Sequence, residues 1–153
     1  MTVEEVESVA RLLDAFNREY GTPTPGVPIL AERLTRLLAG AETIALLGGD
    51  PPVGVALVTL RPNVWFEGPV ALLDELYVVP EQRGRGLGSG LLAAAEEAAR
   101  GRGAELMEVN VDGEDTDARR FYERHGYLNV DPGQAEPQLY YHRELGPDGQ
   151  RPQ

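Results

Sequence analysis

The sequence feature that most constrains the fold is a glycine-dense segment between a strand-like run and an alanine-rich stretch. Residues 70–79 are rich in Val and Leu, residues 83–88 read Arg-Gly-Arg-Gly-Leu-Gly, and Leu91, Leu92, Ala95 and Ala98 follow at helical spacing. Glycines allow a tight turn, and a helix start adds the positive end of its dipole. The pattern predicts a strand, a turn and a helix whose backbone N–H groups can approach a pyrophosphate.

A flexible connecting turn is the alternative interpretation of an isolated Gly-x-Gly. Arg83 and Arg85 add positive charge within an acidic chain, which favours an anion site. No Gly-Lys-Ser/Thr follows, so the segment is not a P-loop, and its glycines lack the full dinucleotide-binding spacing.

The remaining segments predict an α+β fold with a mixed central sheet flanked by helices. Apolar spacing of three and four residues indicates helices over 3–20 and 29–38, with a proline-rich loop over 22–28. Runs rich in Val, Leu and Ile indicate strands over 43–47, 53–60 and 104–111, followed by a short helix over 116–125 and a final strand over 139–145. We predict one domain over residues 1–145 and a disordered tail over 146–153.

Composition restricts the partners. Lys and Arg number 14 against 25 Asp and Glu, so the formal charge of −11 opposes binding to nucleic acid or anionic membranes and favours cationic small molecules. The absence of cysteine excludes thiolate zinc sites and thiol nucleophiles, and with only His125 and His142 we expect no metal. The N-terminal residues do not resemble a secretory signal and no apolar run approaches about 20 residues, so we predict a cytoplasmic protein.

Two motifs resemble the GNAT superfamily of N-acetyltransferases. The family's turn reads Arg or Gln, two residues, Gly, one residue, and Gly or Ala, which Arg83, Gly86 and Gly88 match. Residues 115–127 read Asp-Thr-Asp-Ala-Arg-Arg-Phe-Tyr-Glu-Arg-His-Gly-Tyr and look like the family's Asn-x-x-Ala-x-x-Phe-Tyr-Glu-Lys-x-Gly-Phe block. The order of helices and strands extends the resemblance over residues 3–145. It implies a GNAT-like fold with strands that splay at the thioester site.

The resemblance also implies acetyl-coenzyme A as co-substrate. In that family the turn cradles the pyrophosphate, and the preceding strand offers backbone groups to the pantetheine and the thioester. The implied coenzyme-binding residues are Leu76, Tyr77, Val78, Arg83, Gly84, Arg85, Gly86, Leu87, Gly88, Ser89, Asp115 and Ala118. Asp115 stands at the family's Asn position, and an ionised carboxylate only accepts hydrogen bonds, so helix capping is the alternative for this residue.

Acetyl transfer from a thioester requires a neutral amine and a proton for the departing thiolate. An alkyl amine has a pKa of about 10.4 and a thiol of about 8.5, so both proton steps benefit from assistance near pH 7. The resemblance implies Tyr122 as the acid, with a core tyrosine beside Phe121 as the alternative. The backbone N–H of Val78 is the corresponding candidate for the contact to the thioester carbonyl.

Three carboxylates compete for the role of base: Asp74, Glu75 and Glu108. In a regular strand, residues 74 and 75 point to opposite faces, so at most one should face the amine unless a bulge intervenes. We favour Asp74, because related polyamine and aminoglycoside acetyltransferases often place an acidic or proton-accepting residue at this position. A solvated strand carboxylate is the alternative. The candidates for acceptor contacts are Glu75, Glu108, Asn110 and Glu136.

Residues 61–78, an aromatic turn followed by Leu-Asp-Glu-Leu-Tyr-Val, are similar to spermidine/spermine-type acetyltransferases. This similarity implies a small cationic, polyamine-like amine as acceptor, and related enzymes are commonly homodimers. Protein N-termini, amino acids and aminoglycosides are the alternative acceptors. A non-catalytic acyl-coenzyme A sensor is the competing class of function, and it would have no need of Tyr122.

Overall fold

The computed structural model describes residues 1–146 of the 153-residue chain. The helices are α1 (Val3–Glu19), α2 (Val27–Leu38), α3 (Leu87–Gly101) and α4 (Thr116–Arg124), and Pro80–Gln82 form a short 3-10 turn. The strands are β1 (Thr43–Gly48), β2 (Gly54–Arg61), β3 (Val70–Val78) and β4 (Leu106–Val109). This confirms the α+β class. Contacts divide the chain into two units, one of residues 1–109 and one that begins at Asn110.

The four strands form one sheet in the order β1-β2-β3-β4, and the sheet is mixed, as predicted. β1, β2 and β3 are antiparallel neighbours, whereas β4 runs parallel to β3. β4 pairs with β3 only over Val70–Leu73, although β3 continues to Val78. Within the described residues, the second half of β3 therefore has no β4 partner along that edge. This is the splay that the resemblance implies.

Helices cover both faces of the sheet in the first unit. α1 and α2 pack on the face that carries Val55 and Tyr77. α3 packs on the other face, where a Cβ atom at Gly54 would lie only 2.8 Å from Cδ1 of Leu91. Successive residues of a strand point to opposite faces, so Gly54 faces α3 whereas Val55 faces α1 and α2. The close approach of α3 explains glycine at the start of β2.

Several predicted boundaries shift for local reasons. α2 begins at Val27, two residues earlier than predicted, because Pro28 is tolerated in the first turn of a helix, where its missing N–H has no intrahelical partner. The predicted loop over 22–28 was therefore too long. None of the helices in residues 1–146 combines the length and apolar character needed to cross a membrane.

The predicted final strand over 139–145 is wrong. These residues have no regular secondary structure, and Leu139, Tyr140, Tyr141 and Leu145 are 68%, 68%, 83% and 89% exposed. A strand needs a neighbouring strand for its backbone N–H and C=O groups, and no strand forms among residues 110–146. Apolar and aromatic composition therefore did not produce a strand here. The predicted tail over 146–153 lies outside the described residues beyond Gly146.

Candidate active site

The glycine turn after β3 is built from two left-handed glycines. Gly84 has φ +74° and Gly86 has φ +82°, a conformation that side chains with a Cβ rarely adopt. Apart from the adjoining residues of the chain, no described atom lies within 4 Å of a Cβ built at either glycine, so the space beside the turn is open. Gly86 caps α3 without a side chain, and the first turn of α3 contains no acidic residue. The first N–H groups of an α-helix have no acceptor within the helix itself, so this end of α3 is suited to an anion.

The guanidinium of Arg83 is bound by two other groups of the protein. Its Nη2 donates to both carboxylate oxygens of Glu19 at 2.8 Å, and its Nε donates to the backbone oxygen of Val78 at 2.9 Å. Burial raises the pKa of Glu19, but hydrogen bonds and positive charge from Arg83 outweigh it, so the pKa lies below its usual value. The sequence predicted that the positive charge of Arg83 contributes to coenzyme binding. In the structure, this charge is paired with Glu19. The neighbouring Arg85 is exposed.

The second half of β3 presents backbone groups at the open edge of the sheet. The N–H of Val79 donates to the oxygen of Val53 at 2.9 Å and so faces β2. Successive N–H groups of a strand point to opposite edges, so that of Val78 faces the edge where β4 does not pair. Tyr77 is 5% exposed and its ring packs against Phe16, so its side chain belongs to the core.

A β-bulge interrupts β3 at Asp74. Leu57 of β2 pairs with Glu75, but the next residue, Val58, pairs with Leu73, which leaves Asp74 as the extra residue. The expectation that residues 74 and 75 point to opposite faces holds only for a strand without a bulge. It therefore does not apply here.

The bulge brings two adjacent carboxylates to one face of the sheet. The hydroxyl of Thr59 donates to the carboxylate of Asp74, and Glu75 is the cross-strand partner of Leu57. Leu57 and Thr59 are two residues apart on β2 and so share a face. Asp74 and Glu75 consequently lie on the same face, the one that α1 and α2 partly cover.

Both carboxylates are shifted towards the protonated form. Desolvation raises the pKa of Asp74, and the hydrogen bond from Thr59 only partly opposes it. Desolvation also raises the pKa of Glu75, and the negative charge of Asp74 raises it further. Neighbouring carboxyl groups with raised pKa values are typical of sites that accept and release protons. This pair can therefore take a proton from an amine or hold a cationic one.

Glu108 is engaged in an ion pair. It lies opposite Leu72 in the β3–β4 pairing, and its Oε2 is 3.6 Å from Nη2 of Arg61. Both side chains are exposed, so solvent screens the pair. Its charge is partly balanced before any substrate binds.

The second unit carries the predicted acid and the remaining predicted contacts. Tyr122 is half-buried in α4, and its ring centroid lies 5.1 Å from that of Phe121 and 5.6 Å from that of Tyr127. Asp115 is the N-cap of α4, because its carboxylate accepts the N–H of Ala118 at 3.0 Å. Asn110 and Glu136 are exposed. Tyr122 and the Asp74–Glu75 pair thus belong to different units, and the role of Tyr122 stays a prediction.

The profile of the acetyltransferase (GNAT) family matches residues 8–127, which is most of the chain. The chain belongs to the GNAT acetyltransferase family. The family is one of acetyltransferases, and the fold described above is the GNAT fold.

One solved structure resembles nearly the whole chain, and two curated relatives resemble about half of it. The crystal structure of a candidate acetyltransferase from Arthrobacter sp. FB24 is 56% identical with a TM-score of 0.89, over 95% of this chain and 93% of that one. The aminoalkylphosphonate N-acetyltransferase of Salmonella typhimurium is 40% identical over 55% of this chain and 54% of its own length. The aminoglycoside N(6′)-acetyltransferase type 1 of Klebsiella aerogenes is 40% identical over 48% and 51%. The matches span about half the length of these two curated relatives.

GNAT enzymes take the acetyl group from acetyl-coenzyme A, and the glycine turn of this chain fits that co-substrate. Gly84 and Gly86 leave room for a close approach to the backbone, and no carboxylate in the first turn of α3 repels a pyrophosphate. In residues 1–146, no group of three or more His, Cys, Asp or Glu side chains is arranged to hold a metal ion.

Sequence reasoning missed two residues of this site. Thr59 donates to Asp74, and Glu19 binds Arg83 from 64 residues away in the sequence. Glu19 ends α1, where a solvated carboxylate is unremarkable, and Thr59 reads as an ordinary strand residue. No spacing in the sequence connects either of them to its partner.

Proposed function

We propose that this GNAT enzyme acetylates the primary amine of a small cationic acceptor, of polyamine-like chemistry, by direct transfer. The observation that carries the proposal is the Asp74–Glu75 pair, which the bulge brings to one face of β3. Two neighbouring carboxylates attract a cation, and their raised pKa values suit a proton acceptor.

Each part of the site has a distinct task in this reaction. When bound, acetyl-coenzyme A supplies an activated thioester. The N–H groups around Gly86 hold its pyrophosphate, and the N–H of Val78 stabilises the negative charge that develops on the carbonyl oxygen. The carboxylate of Asp74 or Glu75 accepts the proton that the amine loses as its nitrogen bonds to the carbonyl carbon. Tyr122 donates a proton to the sulfur as the carbon–sulfur bond breaks.

Charge distinguishes the possible acceptors. Polyamines and aminoglycosides carry several ammonium groups, and a second ammonium can pair with whichever carboxylate is not receiving the proton. An aminoalkylphosphonate carries a negative phosphonate close to its amine, and Asp74 and Glu75 would repel it. We therefore rank polyamines first, aminoglycosides second and aminoalkylphosphonates last. A coenzyme-release assay over these three classes, with amino acids and peptide N-termini added, tests the order.

The same assay separates the enzyme from a non-catalytic acyl-coenzyme A sensor. An enzyme releases free coenzyme A in proportion to acetylated amine, and mass spectrometry identifies the product. Tight coenzyme binding with no product from any amine in the panel would instead favour the sensor.

Replacement of Gly86 by Val tests the coenzyme site. A branched side chain would fill the open space beside the turn, and we expect the Kd for coenzyme A to rise at least about tenfold, or about 1.4 kcal/mol. The left-handed φ of +82° adds strain of about 1–2 kcal/mol that affects stability in general. Isothermal calorimetry measures the binding.

Gly103→Val provides the matched control. Gly103 follows the opposite end of α3, has φ +85° and likewise has no described atom beyond the adjoining residues within 4 Å of a Cβ. Both variants should lose similar unfolding free energy, but only Gly86→Val should lose coenzyme affinity. Equal affinity in wild type and Gly86→Val would show that the cradle is elsewhere.

We also propose that the enzyme is a cytoplasmic homodimer, as the family resemblance implies. The charge of −11 on each chain opposes association, so added salt should strengthen the dimer by screening that repulsion. Light scattering coupled to size exclusion should give twice the mass of one chain. The mass of a single chain at all salt concentrations would contradict the dimer.

A further inference from the structure

We infer that Glu19, the last residue of α1, is a positioning residue for the coenzyme turn and acts through Arg83. The inference rests on the proposed coenzyme site at Gly84 and Gly86. It adds a residue that the sequence alone did not identify.

Three parts of the fold meet at the Glu19 carboxylate. Arg83 donates to both of its oxygens at 2.8 Å, and the hydroxyl of Tyr77 donates to Oε1 at 3.2 Å. Through Nε, the same Arg83 side chain donates to the backbone oxygen of Val78, the last residue of β3. The guanidinium also lies over the Tyr77 ring, 5.6 Å from its centroid. Arg83, the residue that precedes Gly84, thus joins the end of α1 to the end of β3.

This ion pair differs from an ordinary surface pair. The Glu19 and Arg83 side chains are 25% and 42% exposed, whereas those of Glu7 and Arg11, also a pair on α1, are 55% and 59% exposed and 4.0 Å apart. An exposed ion pair contributes little to stability because water screens it. A pair in which the arginine binds both carboxylate oxygens, and which further hydrogen bonds orient, is stronger. The Glu19–Arg83 pair can therefore fix the conformation of the turn.

Fixing the turn matters because its glycines are flexible. Gly84 and Gly86 have access to more backbone conformations than other residues, and a turn that must be ordered on binding loses affinity. With Arg83 held by Glu19 and Val78, the start of the turn is already in place before coenzyme binds. We therefore expect Glu19 to affect coenzyme affinity rather than the chemical step.

The test is Glu19→Gln, with Glu7→Gln as the control from the same helix. Gln keeps the shape and one acceptor oxygen but removes the charge. We expect the Kd for coenzyme A and the KM for acetyl-coenzyme A to rise about tenfold, with kcat at saturating coenzyme and the KM for the amine unchanged. Amide hydrogen exchange at Gly84 and Gly86 should become faster in the free protein. Glu7→Gln should change none of these.

A double-mutant cycle tests whether the effect passes through Arg83. In an Arg83→Gln background, Glu19→Gln should have no further effect on the Kd, because the pair is already lost. Additive effects would contradict the inference. Should Glu19→Gln lower the unfolding temperature, Glu19→Asp keeps the charge on a shorter side chain and should show the same changes at smaller size.

The possible results separate this inference from the proposed function. Weaker binding by Gly86→Val together with unchanged binding by Glu19→Gln would overturn the role of Glu19 and leave the coenzyme site standing. Tighter binding by Glu19→Gln would also overturn it, because Glu19 would then be a competitor of the coenzyme for Arg83. If wild type bound no coenzyme A, the proposed site would fail, and unchanged exchange at Gly84 and Gly86 would independently overturn the positioning role.

Discussion

The Tyr122→Phe variant is expected to lose about 10²- to 10⁴-fold in kcat while its affinity for coenzyme A stays the same. The substitution removes one hydroxyl and keeps the ring, so the contacts with Phe121 and Tyr127 remain. The departing thiolate takes up a proton near pH 7, since the pKa of a thiol is about 8.5, and a positioned acid that supplies this proton lowers the barrier. Single-turnover kinetics, in which chemistry rather than product release is observed, give the rate.

Tyr127→Phe is the matched control because its ring belongs to the same aromatic cluster and is also half-buried. It should retain the wild-type rate, and both variants should unfold at similar temperatures. A normal single-turnover rate for Tyr122→Phe would remove the acid from the mechanism and favour the core-tyrosine interpretation. A matching fall in Tyr127→Phe would point to packing of α4 instead of proton transfer.

The sequence predicted those parts of the fold whose signals are local. The glycine turn could be predicted because the left-handed φ at Gly84 and Gly86 favours glycine. The helices α1 and α3 could be predicted because their apolar spacing reflects one buried helical face. Capping of α4 by Asp115 was predictable as an alternative, because a carboxylate at a helix start has a local partner three residues on.

The features that the sequence could not predict depend on partners far along the chain. The bulge at Asp74 is a matter of register between β2 and β3, and nothing in Leu-Asp-Glu-Leu distinguishes it from a regular strand. The Glu19–Arg83 pair joins residues 64 apart without any period. The prediction of a final strand is wrong for a related reason. Residues 139–145 have a strand-like composition, but the described part of the second unit contains no strand with which they could pair.

Asp74→Asn and Glu75→Gln are expected to identify the base through their pH profiles. If Asp74 is the base, Asp74→Asn should lower kcat/KM by about 10²- to 10⁴-fold and abolish the acidic limb. If Glu75 is the base, Asp74→Asn should keep most of the rate. The limb should then move to lower pH, because the charge of Asp74 raises the pKa of Glu75 and its removal lowers that pKa.

Stability provides an independent check with a definite sign. Both carboxyl groups have raised pKa values in the folded protein, so folding favours their protonated forms. Their contribution is present below the pKa of the unfolded chain and is lost as the pH rises through the folded pKa. Asp74→Asn should therefore make the protein more resistant to urea at pH 8 than wild type, with a smaller difference at pH 4. A variant less stable at pH 8 would show that the Thr59 hydrogen bond outweighs the desolvation of Asp74.

The charge of the acceptor determines whether the Asp74–Glu75 pair also binds a cation. For a polyamine, the carboxylate that is not the base still attracts an ammonium group, so its neutral variant should raise the amine KM and reduce the dependence of that KM on salt. Glu42→Gln, an exposed carboxylate just before β1, is the control and should change neither quantity. If an anionic or neutral acceptor were best and both Asp74→Asn and Glu75→Gln behaved as wild type, the cationic acceptor and the carboxylate base would both be wrong. Membership of the GNAT family would still stand, because it rests on the match over residues 8–127 and not on the acceptor.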